Sequence, residues 1–118
     1  MKTFKLKPIK NAYRQIMLVD EGEDKTHNLT MAEMLINMVR LIESSGKMTS
    51  LDANRGRRLI GQCLDATKTT LSIEEAEHDW AKEQVVSEWV TNNLGTNADV
   101  IKELLDDFER IKEPASDN

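Results

Sequence analysis

Glu75 and His78 stand three positions apart, the Glu-x-x-His spacing that projects a carboxylate and an imidazole from one face of a helix. Di-iron and di-manganese bundles need two such pairs plus two further carboxylates on facing helices. Only one pair exists here, and the second histidine, His27, falls in a polar stretch without a helical partner. No metal and no other cofactor is therefore expected, and His78 reads as a surface residue of an acidic helix beside Glu74 and Asp79. Cys63 is the single cysteine, which excludes an intramolecular disulfide framework and any zinc site built on several thiolates. It shares an apolar stripe with Leu59, Ile60 and Leu64, where a free thiol packs as a small hydrophobe and stays protonated. A helical wheel turns Arg55 and Arg58 away from it, so no catalytic residue is assigned. Gly56 and Gly61 flank arginines inside a helical pattern and are not followed by Lys-Ser or Lys-Thr, so they form no phosphate loop.

Phosphate binding without catalysis is the remaining chemistry of these residues. Arg55, Arg57 and Arg58, together with Lys2, Lys5, Lys7, Lys10 and Arg14, offer cations to a nucleic-acid backbone. The charge balance opposes it. Sixteen Lys and Arg against 21 Asp and Glu give 16 − 21 = −5, and the sequence pI is about 5.1. Residues 1–19 carry +5, residues 20–72 carry −1, and residues 73–118 carry −9. A C-terminal third so acidic is repelled by phosphates, and the few aromatic residues give little stacking surface. The arginines are expected to pair with the acidic helices.

The elements that position these residues follow from the pattern. Phe4, Leu6 and Pro8 alternate with Lys5 and Lys7, and a turn at Lys10 and Asn11 leads into a β-favouring run over 13–19, so a two-stranded hairpin is expected. Residues 20–28 read as a loop. Met31, Met34, Leu35, Met38, Leu41 and Ile42 then keep the i, i+3, i+4, i+7 spacing of a first helix, stopped at Ser44, Ser45 and Gly46. A second helix is expected over about 51–66 with Leu59, Ile60, Cys63 and Leu64 inward, a β-branched bridge over 67–70, a third helix over about 73–92 and a fourth over about 97–112. Thr30 with Glu33 and Ser72 with Glu75 have capping-box spacing; Thr49 with Asp52 and Thr96 with Asp99 offer the Asp version. The fold class is α+β: one domain over 1–113, a two-stranded hairpin packed on about four short helices, with a flexible tail over 114–118. No run of about 18 apolar residues exists to span a membrane, and a cytoplasmic location is expected.

Two sets of apolar residues bear on partners. Met31, Met34 and Met38 lie on one stripe, which serves either as core or as an adaptable groove. Trp80 and Trp89 are nine positions apart, about half a turn out of phase on the third helix, so both cannot be equally buried. One of them is expected to be exposed, and an exposed tryptophan rimmed by Glu83 and Glu88 would anchor a protein partner; Trp89 belongs with Val85, Val86 and Val90, either as the buried one or as part of an apolar patch.

The basic hairpin, the run LTMAEML (29–35) opening the first helix, a charged second helix, the turn TLSIEE (70–75) opening the third, and a short Leu/Phe helix together resemble small proteins encoded by tailed phages and prophages over about residues 24–110. The resemblance implies an accessory factor: an inhibitor of a host defence or host regulator, or a tail-assembly and morphogenesis helper. It implies no active-site residues. The leading expectation is a non-enzymatic protein that binds a larger host protein machine through an acidic helical face, with Glu74, Glu77, Trp80, Glu83, Glu88, Asp106, Asp107 and Glu109 as contacts. An assembly chaperone using the methionine stripe, and a nucleic-acid-binding regulator using Arg55, Arg57 and Arg58, are the alternatives. Pairing of hairpin edges would give a homodimer.

Overall fold

Met31, Met34, Leu35, Met38, Val39 and Ile42 recur at helical spacing, and in the computed structural model, which describes residues 1–11 and 13–108, they form the buried face of α1 (Met31–Ser44). The expected capping box starts it. Thr30 Oγ1 accepts from the Glu33 backbone N–H at 3.2 Å, and the Glu33 carboxylate accepts from the Thr30 N–H at 3.1 Å. The same reciprocal arrangement between Thr49 and Asp52 opens α2 (Ser50–Leu64). Gly56 lies where α2 crosses α1. A Cβ there would stand 2.9 Å from Val39 Cγ1, so the glycine is the residue that lets the two helices close.

The fold is α+β, with an N-terminal two-stranded antiparallel hairpin and a helical body. Its pairings differ in detail from the expected ones. The first strand, β1 (Lys2–Lys5), pairs antiparallel with β4 (Thr70–Ile73), placing Lys2 opposite Ile73 and Lys5 opposite Thr70. Phe4, Leu71 and Ile73 are thereby sunk into the core. The hairpin proper is β2 (Leu18–Gly22) with β3 (Lys25–Asn28), in the stretch expected to be a loop. Glu23 and Asp24 turn it with φ of 51° and 60°, the two left-handed residues that the tightest hairpin turns require. Both its strands are largely exposed, so no apolar alternation marks them in the sequence. Lys10 and Ile16 form an isolated antiparallel bridge, the Met17 N–H donates to the Ile9 carbonyl at 2.7 Å, and Ile9 is buried.

The single third helix expected over 73–92 is two helices, α3 (Glu75–Val85) and α4 (Glu88–Leu94). Ser87 is the cause. Its Oγ donates to the Gln84 carbonyl at 2.7 Å, satisfying the end of α3, and accepts from Val90 N–H at 3.4 Å, starting α4. Gly95, at φ 58°, turns the chain into α5 (Thr96–Asp106). Two of the four expected caps do not form. Ser72 is consumed in β4, facing Thr3 across the sheet, so Glu74 caps α3 without a side-chain bond; Thr96 is already inside α5, behind Gly95. Leu64, expected inward, is 70% exposed because the stripe of α2 is narrower than its apolar residues. The expected end of the last helix beyond residue 108, and the tail over 114–118, lie outside the described residues.

The core joins α1, one face of α2, the β1/β4 sheet and the inner faces of α3 to α5. Met31, Met34 and Met38 are buried within it, which removes the groove on which an assembly-chaperone reading depends. No helix among the described residues is long and apolar enough to cross a membrane.

Candidate interaction surface

The sequence predicts a face of carboxylates around Trp80 on the third helix, and the structure rotates that face. Trp80 is buried, 6% exposed, and its indole Nε1–H donates to Asp52 Oδ1 at 3.0 Å, tying α3 to the first turn of α2. That bond is also the main reason the Asp52 carboxyl lies below its ordinary range. Trp89, expected either to be buried or to join an apolar patch, is half-buried beside a small cleft of about 160 Å³ at the α3–α4 break, walled by Met48, Val90 and Asp52 among others.

Glu77 is not a contact residue either. It is 1% exposed and accepts from Arg55 Nη1 at 2.8 Å and from Gln62 Nε2 at 2.7 Å. Gln62 in turn accepts from the Glu74 N–H at 3.0 Å. Burial of a charge is tolerated here because each carboxylate oxygen has a donor and the donor set includes a cation. Arg55 and Gln62 are seven apart on the flank of α2, a spacing that puts them on one side of a helix. It was the available sequence signal for this tie.

His78 is likewise inside, 2% exposed, contrary to its expected place at the surface. Helical periodicity explains it: with Trp80 and Ala81 turned to the core, position 78 must follow. Its Nε2 lies 2.6 Å from the Leu105 carbonyl, which can only accept, so that nitrogen carries the hydrogen. The ring stacks on Phe4 at 5.9 Å and meets Phe108 edge-on at 5.8 Å, while Lys2 Nζ sits 4.0 Å above Phe108. Glu75 stays in solvent, so the Glu-x-x-His pair does not converge. No group of three His, Cys, Asp or Glu among the described residues is placed to hold a metal ion. Burial pushes the Cys63 thiol up to about 12, as its apolar stripe implies.

What α3 shows to solvent is Ala76 and the carboxylates Glu75, Asp79 and Glu83, a stripe at i, i+4 and i+8, with Lys82 at its edge. On α5 the exposed positions are Thr96, Asp99, Lys102, Glu103 and Asp106. Lys82 Nζ meets Asp106 Oδ1 at 2.8 Å, and that contact holds the Asp106 carboxyl below its ordinary value. Of the expected contacts, Glu74, Glu83, Glu88, Asp106 and Asp107 are exposed, Glu77 and Trp80 are buried, and Glu109 lies outside the described residues. Glu75 and Asp79 belong to this surface in their place. Among the arginines, Arg55 pairs with an acidic helix as expected; Arg57 and Arg58 are exposed and make no ion pair among the described residues.

Comparison with protein-family models, with curated proteins and with solved structures gives no match to this chain.

Proposed function

We propose that this chain is a non-enzymatic interaction protein of the phage accessory type, which occupies a basic surface of a larger host protein machine and thereby inhibits or modulates it. The observation that carries this reading is the exposed carboxylate surface of α3 and α5. It holds Glu75, Asp79, Glu83, Asp99, Glu103 and Asp106 against two lysines, Lys82 and Lys102. Glu74, Glu88 and Asp107 extend it. A field of one sign raises the association rate with a cationic target, most of all a protein surface that itself binds nucleic acid. Burial of Glu77 and Trp80 supports a rigid presentation, because their bonds to α2 fix the α3 backbone beneath the stripe.

The test is a tagged pull-down from the native host, followed by binding measurements on the captured protein at rising salt. Affinity is expected to fall steeply between low and high ionic strength, and reversal of Glu83, Asp99 and Glu103 to lysine is expected to slow association. A salt-independent affinity would remove this mode of binding.

A further inference from the structure

The outer face of α2 is unlike the rest of the molecule. Asn54 and Gly61 lie seven apart along its centre, Arg57 and Arg58 flank them, and all four are exposed. An open groove of about 440 Å³ runs beside Asn54, Arg57 and Arg58. The two glycines of the helix have opposite explanations. Gly56 is demanded by Val39, whereas a Cβ at Gly61 would meet nothing within 4 Å. A glycine inside a helix costs about 1 kcal/mol relative to alanine, and nothing within the fold offsets that cost at Gly61. Two arginines without carboxylate partners among the described residues, beside a position cleared of side chain, describe a face made for a close acidic neighbour.

The chain itself supplies that neighbour. Helix α3 runs antiparallel beside α2, since Gln62 bonds Glu74 N–H, Arg55 bonds Glu77 and Asp52 accepts from Trp80. These contacts occupy the flanks, so the basic face of α2 and the acidic stripe of α3 lie side by side on one surface. A twofold axis running along the helices and between them would turn a second copy over, set its α2 on the first copy's α3, and repeat the contact reciprocally. The same sequence levels stay matched: with Gln62 beside Glu74 and Arg55 beside Glu77, position 58 lies level with about 76, so Arg57 and Arg58 come over the segment bearing Glu75 and Asp79.

We infer that this surface is a self-docking interface, in which the Arg57 and Arg58 face of one copy pairs with the Glu75 and Asp79 stripe of another, twice per dimer. It stands independently of the proposed function, although it uses two of the same carboxylates, so a basic target and a second copy compete for α3. The dimer is a reserve form that such a target displaces.

The experiment is sedimentation equilibrium on the full chain at low and high salt, with no partner present, so its result is separate from the pull-down. A concentration-dependent dimer is expected in the micromolar range, weakened at least about tenfold by high salt. The doubly reversed variants R57E/R58E and E75K/D79K are each expected to be monomeric, and to form a heterodimer when mixed in equal amounts, because reversal of one face on each copy restores both contacts. Asp79→Lys alone, in mid-helix, replaces the second variant if circular dichroism shows that Glu75→Lys disturbs the first turn of α3. A chain that stays monomeric throughout overturns the inference. So does a dimer indifferent to these reversals, or charge-reversed variants that fail to recognise each other. Retardation of duplex DNA at physiological salt, lost in R57E/R58E, would assign the face to nucleic acid instead and overturn it equally.

Discussion

Removal of Arg55 is the most informative single perturbation of the fold. Glu77 is 1% exposed while the Arg55 side chain is 34% exposed, so the two ends of the pair are unequally placed. Arg55→Met keeps most of the aliphatic stem but leaves a buried carboxylate held only by the Gln62 amide. Removing one partner of a fully buried pair costs about 3–5 kcal/mol. Because the guanidinium end is a third open to water, solvent can replace part of it, and we expect about 2–3 kcal/mol. Glu77→Gln leaves a cation that water can reach and keeps an acceptor for it, so about 1 kcal/mol is expected. The double variant Arg55→Met with Glu77→Gln buries no charge and should be more stable than Arg55→Met alone, with a coupling of at least about 1 kcal/mol. Urea titration of the four proteins gives these values directly, and in a domain of this size each kcal/mol moves the melting midpoint by roughly 4–6 °C. The reasoning fails if Arg55→Met costs less than Glu77→Gln, or if the two sites behave additively.

Three further outcomes are expected. Gly56→Ala forces a Cβ to within 2.9 Å of Val39 and is expected to destabilise by about 1–2 kcal/mol after the gain in helix propensity, whereas Gly61→Ala meets nothing and is expected to stabilise by about 0.5–1 kcal/mol, both read by denaturant melts at concentrations where the chain is monomeric. His27 lies 2.9 Å from Glu33 and 2.8 Å from Glu21, and its pKa is raised chiefly by its hydrogen bond to Glu33; the stabilisation it brings to the hairpin is thus full below the unfolded imidazole value and is lost as pH rises through the folded one, which NMR titration should show and His27→Gln should abolish. With its thiol raised to about 12, Cys63 should react with a thiol reagent only as fast as the protein opens, so labelling that outruns amide exchange of α2 would contradict its placement.

Much of the helical architecture is written in local signals. The methionine stripe of α1 and the Thr30 and Thr49 caps are legible because each depends on residues within one or two turns of each other. What local reading cannot supply is rotation and pairing. The face α3 turns inward is chosen by Arg55, Gln62 and Asp52 on another helix, so the amphipathic pattern of α3, diluted by the buried Glu77 and His78, pointed to the wrong side. The pairing of β1 with β4 is equally non-local. The β2–β3 hairpin is hidden in the sequence for the opposite reason: it is local, but Glu23 and Asp24 adopt left-handed conformations that glycine and asparagine usually mark.

Thr3 and Ser72 face one another across the first sheet although 69 positions separate them in the chain. During synthesis the opening strand therefore leaves the ribosome long before its mate exists, and Phe4 has no finished core to enter until α1, α2 and β4 have followed. Closure of the first sheet becomes a late and slow event, set by the entropy of joining so large a loop. Until then a lysine-rich segment stays available to whatever anionic surface it meets.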